Sequence, residues 1–256
     1  MTMNLVADLH GAVDRGEIVA VYQPQVDSET LEVVAVEALA RWMHPDYGLV
    51  VPGIFIPLAE AHDLIGEIGD FMVDEGARRA AEWDALGLDL EVAINVSAAQ
   101  LHTLDFLDRL QRNLDDLSLV PAKIVIEVTE SLPVTRVAKV IERLAELREL
   151  GMGVSVDDFG TGYSSLAQLA GIPATELKID KSLIQDPDAS MLLMRAVVES
   201  AHQQGLRVVA EGIETQEHLA VARALDCDRL QGYLFGRPAP AEEITSTLAR
   251  AVPRLS

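Results

Sequence analysis

Six short apolar runs along the chain each stop at an acidic or amide residue: Ala35-Val36-Glu37, Val92-Ala93-Ile94-Asn95, Ile124-Val125-Ile126-Glu127, Val154-Ser155-Val156-Asp157-Asp158, Leu177-Lys178-Ile179-Asp180 and Val208-Val209-Ala210-Glu211. Apolar runs of this length read as buried strands, and in a barrel of parallel strands the reactive groups sit at the strand ends. The wider pattern predicts eight strands, over 19–26, 32–42, 92–96, 124–128, 153–157, 176–179, 207–210 and 229–233. The first two flank an Asp27-Ser28 turn closely enough to form an antiparallel hairpin. Helices are predicted over 4–16, 64–86, 104–116, 133–150, 164–170, 190–205, 215–225 and 241–251. In 133–150, Val137, Val140, Ile141, Leu144 and Leu147 recur at the spacing of one buried helical face. Strands alternating with helices, eight of them, point to an α/β fold: a modified TIM-like (β/α)8 barrel with one antiparallel strand near the N-terminus. No linker or repeat interrupts 1–256, so a single domain is expected.

Composition narrows the setting. At 256 residues and 49% hydrophobic, the chain can fill one barrel, and with only 4% aromatics the core must be mainly Leu, Val, Ile and Ala. No apolar stretch reaches the roughly 18 residues of a membrane span; the longest, 49–59, is broken by Pro52, Gly53 and Pro57. The opening residues lack a secretory pattern and Cys227 is the single cysteine, so a cytoplasmic protein is expected, with Cys227 as a small apolar filler. A net charge of −21 repels long polyphosphates, which argues against nucleic acid polymers and anionic membranes as partners. An anionic substrate would need a locally positive site.

So many carboxylates at one rim repel each other unless cations sit among them, so a metal-dependent enzyme is expected. Hard divalent ions take the oxygen ligands that Glu37, Asn95, Glu127, Asp157, Asp158 and Glu211 offer. Lys178 reads as the only cation within a barrel strand. Burial beside metal ions would lower its pKa and let it orient or deprotonate the attacking water. The alternative for Lys178 is a structural pair with Asp180. Arg41 shares a strand face with Glu37 and can fork onto a phosphate. The glycine-rich 158–164 segment matches neither a P-loop nor a dinucleotide fingerprint. The histidines read as structural, His44-Pro45 as a turn, and Met191 to Met194 as a helix face packed on the barrel.

The segment Val36-Glu37-Ala38-Leu39-Ala40-Arg41-Trp42 resembles the signature of the EAL-domain family, bacterial phosphodiesterases that hydrolyse the second messenger cyclic di-GMP. Seven more motifs carry the resemblance: Tyr22-Gln23-Pro24, Asn95-Val96-Ser97, Glu127-Val128-Thr129-Glu130, the run Asp157-Asp158-Phe159-Gly160-Thr161-Gly162-Tyr163-Ser164, Leu177-Lys178-Ile179-Asp180, Ala210-Glu211-Gly212-Ile213-Glu214-Thr215 and Gln231-Gly232-Tyr233-Leu234-Phe235.

The resemblance implies hydrolysis of cyclic di-GMP to linear pGpG with two Mg²⁺ or Mn²⁺ ions. Glu37, Asn95, Glu127 and Asp157 would hold one ion and Asp157, Asp158 and Glu211 the other. Lys178, Glu211 and Glu37 would be the catalytic group, and Gln23, Leu39, Arg41, Asp180 and Gln231 would face the substrate. Glu130 would anchor the mobile loop after Asp158, with Glu214 supporting the same rim. It also implies a homodimer through 158–170 and sensory or cyclase domains outside this chain. Two other readings stay open: a catalytically silent cyclic di-GMP receptor, and a metal-dependent enzyme acting on another phosphodiester.

Overall fold

The structure is a computed structural model that describes residues 5–103, 105–129, 137–160, 171–185 and 191–251. Its sheet closes on itself. The strands β1 (Ile18–Asp27), β2 (Val33–His44), β3 (Gly48–Val50), β4 (Glu91–Asn95), β5 (Ile124–Thr129), β6 (Gly153–Phe159), β7 (Glu176–Ile179), β8 (Arg207–Ala210) and β9 (Arg229–Gln231) run in the order β1-β9-β8-β7-β6-β5-β4-β2-β3, and β1 also pairs with β2. Eight strands therefore form a barrel, and β3 hangs on β2 as an extra. β1 is antiparallel to both its barrel neighbours, β2 and β9, whereas β2 and β4 through β9 pair in parallel. The predicted hairpin explains this reversal. Asp27 Oδ1 accepts the N–H groups of Glu29 and Thr30, which folds the chain back within a few residues.

Ten α-helices complete the described chain: α1 (Leu5–Leu9), α2 (Pro52–Ala61), α3 (Ile65–Ala85), α4 (Ala98–Leu101), α5 (Phe106–Asp116), α6 (Val137–Glu149), α7 (Lys181–Gln185), α8 (Met191–Gln203), α9 (Gln216–Ala224) and α10 (Ala241–Ala251). Three departures have local causes. The leading helix stops at Leu9 rather than residue 16, because Gly11 and Gly16 take positive φ of 66° and 68°. β3 arises because His44 Nδ1 accepts the N–H groups of Asp46 and Tyr47, turning the chain back along β2. That is the turn role expected of His44. From Pro52 onward the broken stretch at 49–59 is helical, as α2, and Pro52 stands at its first turn, where the missing N–H costs nothing. The predicted helix over 164–170 lies outside the described residues.

Leu, Val and Ile from the outer strand faces pack against the helices. In α6, Val140, Leu144 and Leu147 are all buried, as their spacing predicts. Cys227 is buried just before β9, where burial pushes its thiol up to about 12, in keeping with a filler. The 191–194 expectation holds only in part. Met194 is buried, but Leu192 and Leu193 are 86% and 63% exposed. At 100° per residue, four consecutive helical positions cannot all face the barrel.

Inside the barrel, the period of two along each strand builds two polar layers. At the strand starts, Arg207 binds Glu176 at 2.7 Å and Glu91 at 2.8 Å, and Arg229 binds Glu91 at 2.7 Å. Two or four residues further along the chain from these stand Lys178 and Gln231, and Asn95 and Glu211, respectively. Ala93, Ser155 and Val209 separate the layers. The lower layer closes one end with paired charges, and the upper layer forms the mouth.

Candidate active site

Five strands or strand ends converge on Lys178. Its Nζ lies 2.8 Å from Glu211 Oε1, 3.2 Å from Glu127 Oε2, 3.2 Å from Asp157 Oδ1 and 3.3 Å from Glu37 Oε2. Lys178 is fully buried. Burial alone disfavours its charge, but the four carboxylates outweigh it and raise its pKa well above that of a free lysine. That rise belongs to the protein without cations, where the field at Nζ is negative; the lowering expected of Lys178 concerns Nζ beside bound metal ions. The same contacts show that Lys178 pairs with the rim acids and not with Asp180. Nor is it the only strand cation: Arg41 lies in β2, and Arg207 and Arg229 open β8 and β9.

The acids respond unequally to the same crowding. Burial pushes the Glu211 carboxyl up to about 8, with Asp157 and Glu37 adding to the rise and Lys178 opposing it. Burial likewise raises Glu127, joined by the Glu37 charge, and raises Asp157 and Asp158. Glu37 goes the other way. Its burial penalty is overcome by Lys178 and by two amides, Gln231 Nε2 at 2.6 Å from Oε2 and Asn95 Nδ2 at 2.8 Å from Oε1.

The adjacent aspartates share the mouth through a strand irregularity. The β6–β7 register shifts between Val156 and Phe159, and Asp158 takes φ of +59°. A bulge of this kind lets two successive side chains serve one side, and Asp tolerates the left-handed region better than most residues. The Asp158 N–H donates to Asp157 Oδ1 at 2.8 Å, which braces the turn.

Two sets of oxygens result. Glu37, Glu127 and Asp157 each offer an oxygen, all within 4.8 Å of one another, and so do Asp157, Asp158 and Glu211. Asp157 belongs to both. The donors are hard oxygens, and the buried Glu127 Oε1 has no hydrogen-bond partner among the described residues. The set therefore fits oxygen-preferring divalent cations.

Next to Glu37, Asn95 and Glu127 opens a cavity of about 770 Å³. Leu39 lines it, and Pro52, Ile56, Ile68 and Met72 supply an apolar wall from α2 and α3. Sequence reasoning missed the α2 part of that wall, since that helix was hidden by the prolines. Arg41 is half-buried in β2 and donates to the Ala40 carbonyl at 2.8 Å. Gln23 donates to the Gly236 carbonyl at 3.2 Å and accepts from Gln231 at 3.3 Å. Asp180 accepts the N–H of Ser182 at 2.9 Å and so caps the start of α7. Glu214 is exposed in the turn before α9, and its own N–H donates to His218 Nδ1 at 3.3 Å. Glu130 and the 161–170 segment lie outside the described residues. Gln25, unmarked in the sequence reading, is buried and donates to Gln231 Oε1 at 2.9 Å. Its position two residues after Gln23, on the same strand face, was the available signal.

A mixed-direction (β/α)8-type barrel with a cation-accepting carboxylate mouth is the class that fold and site define. The EAL domain family model matches residues 6–238, and the chain belongs to that family. Over 253 residues it is 40% identical to the bifunctional diguanylate cyclase/cyclic di-GMP phosphodiesterase MucR of Pseudomonas aeruginosa, covering 96% of this chain and 37% of MucR. It is 36% identical over 253 residues to the oxygen sensor protein DosP of Escherichia coli, covering 97% of this chain and 32% of DosP. The chain thus spans about a third of the length of these curated relatives. Among solved structures, the PaMucR phosphodiesterase in its c-di-GMP complex superposes with a TM-score of 0.88 at 39% identity, covering 94% of this chain and 100% of that one. The EAL enzyme Bd1971, bound to cAMP and cyclic di-GMP, superposes with a TM-score of 0.89 at 30% identity, covering 95% and 68%.

Proposed function

We propose that this chain is a cyclic di-GMP phosphodiesterase that opens the cyclic dinucleotide to linear pGpG and uses Mg²⁺ or Mn²⁺. The observation that carries the reading is the pair of carboxylate sets sharing Asp157 and arranged around Lys178. The names of MucR and of the PaMucR complex support the substrate.

Glu37, Asn95, Glu127 and Asp157 hold one cation, and Asp157, Asp158 and Glu211 hold the second. Asn95 uses its amide nitrogen on Glu37, which leaves its carbonyl oxygen as the ligand. Bound there, two divalent ions supply neutralisation of the phosphoryl oxygens, activation of water near neutral pH and stabilisation of the departing oxygen. Lys178 Nζ stands at the centre of the rim, charged in the protein without cations, where it can donate N–H groups to the oxygens of the reacting phosphoryl group and the incoming water. Taking a proton instead requires divalent charges beside it to lower its pKa. Glu211, bonded to Lys178, fixes that Nζ. Leu39 and the apolar wall receive a base, while Arg41, Gln23, Gln231 and Asp180 serve the polar substrate edge.

Residues 1–256 act as a single domain, in the cytoplasm and as a homodimer. Among the described residues no helix is long and apolar enough to cross a membrane. The relatives' names, a cyclase fusion and an oxygen sensor, support regulatory domains outside this chain. Glu130 and Glu214 support the mouth loop. The substrate assignment is tested by measuring hydrolysis of cyclic di-GMP, cyclic AMP and linear dinucleotides side by side. Turnover confined to cyclic di-GMP is expected, and a faster rate on another diester would replace it.

A further inference from the structure

Gln25 has no part in the reading above. It stands in β1 opposite Gln231 of β9 and Ala35 of β2, and it is only 1% exposed. The β1–β2 register shifts between Gln25 and Val26, so Gln25 is the last residue in step with the ladder that sets Gln23 opposite Glu37.

Its contacts form a directed chain. Gln25 Nε2 donates to Gln231 Oε1 at 2.9 Å, and Gln231 Nε2 donates to Glu37 Oε2 at 2.6 Å and to Gln23 Oε1 at 3.3 Å. The two ends of an amide have nearly the same shape, so packing alone does not decide which way Gln231 points. Polarity does. Turned by half a rotation, Gln231 would aim its oxygen at two acceptors, Glu37 Oε2 and Gln23 Oε1, and its NH₂ group at the NH₂ of Gln25. Asn95 Nδ2 meets the other Glu37 oxygen at 2.8 Å, so the carboxylate is held between two amides.

We infer that Gln25 is a positioning residue for the Glu37 carboxylate: it holds Gln231 in the one amide orientation that presents an N–H to Glu37. The inference rests on the reading of Glu37 as a metal ligand. Partners outside a ligand set commonly change metal affinity by about 10–100-fold, and Gln25 stands one bond further out, so a loss of about 3–10-fold is expected.

The test is a double-mutant cycle read by Mn²⁺ calorimetry on substrate-free protein, with the thermal midpoint as a folding control. Gln25→Met should weaken Mn²⁺ binding by about 3–10-fold, and saturating Mn²⁺ should restore most of the turnover. In a Gln231→Met background the same change should cost less than about twofold. Gln25→Asn, whose amide is one carbon short, takes the place of Gln25→Met should that variant not fold. Wild-type Mn²⁺ affinity in the single variant would overturn the inference, as would losses that multiply independently in the double variant. If Glu37→Ala binds Mn²⁺ as tightly as wild type, the metal assignment fails and carries this inference with it. If only Glu37→Ala weakens binding, the assignment stands and Gln25 alone is excluded.

Discussion

Lys178 Nζ and Glu211 Oε1 lie 2.8 Å apart, the shortest of four carboxylate contacts that a single buried ammonium makes at the barrel mouth. One positive charge is thus shared among four acids, three of which burial pushes toward protonation. The site is short of positive charge, and that shortage is what draws cations to it.

Lys178→Met should separate rate from binding. Removing a positioned proton donor or acceptor costs roughly 10²–10⁴-fold in turnover, whereas the Leu39 side of the cavity is untouched, so KM should change little. Stripping the ammonium that these four buried acids share should also destabilise the cation-free protein by about 3 kcal/mol. Mn²⁺ should recover much of that stability. Steady-state kinetics and thermal melts, each with and without Mn²⁺, check both halves, and a wild-type rate would remove Lys178 from the mechanism.

Asp157 belongs to both oxygen sets, so its loss should exceed that of Asp158. Asp157→Asn and Glu37→Ala should each lower turnover by more than about 100-fold, beyond what partners outside the ligand set contribute. Asp158→Asn should weaken one ion and leave the other. Mn²⁺ calorimetry on the three variants measures the number of ions and the affinity of each.

The pH dependence follows from the Glu211 carboxyl, raised from 4.5 to about 8 in the folded protein. A raised carboxyl favours the folded state while it carries its proton. Its contribution is complete below about 4.5 and is lost as pH rises through about 8. The cation-free thermal midpoint should therefore fall across this window as far as Glu211 governs it. Mn²⁺ must displace that proton, so its affinity should rise about tenfold per pH unit and level off above pH 8. A Mn²⁺ affinity flat from pH 6 to 8 would contradict the assignment.

The apolar wall predicts a KM effect. Ile56 lies on α2 and lines the same cavity as Leu39. Ile56→Asp should raise KM for cyclic di-GMP at least about tenfold by placing a desolvated charge against a base, with kcat changed little. Initial rates over a range of substrate concentrations separate the two constants.

Much of this site was legible in the chain, and the reason is local. Each of Glu37, Asn95, Glu127, Asp157 and Glu211 closes or follows the apolar run that positions it, so they could be read one at a time, although Glu37 itself stands within β2 and not at its end. The rest depends on closure. Glu91, Glu176, Arg207 and Arg229 come from four strands, and nothing within any one strand says that their ends meet. The rise at Lys178 could not be seen without counting the carboxylates that converge on it. α2 was hidden because Pro52 and Pro57 read as breaks, although one of them opens the helix. The Asp157-Asp158 pair lay between the two cases. Its sequence announces two ligands, but only the bulge and the positive φ at Asp158 explain how both reach one mouth.

The most direct measurement is product analysis by chromatography after incubating the purified protein with cyclic di-GMP and Mg²⁺ or Mn²⁺. The account predicts linear pGpG, its formation abolished by a chelator and restored by adding the cation back. Calorimetric binding of cyclic di-GMP by folded protein, with no pGpG formed in either metal, would contradict it and leave a receptor in place of an enzyme.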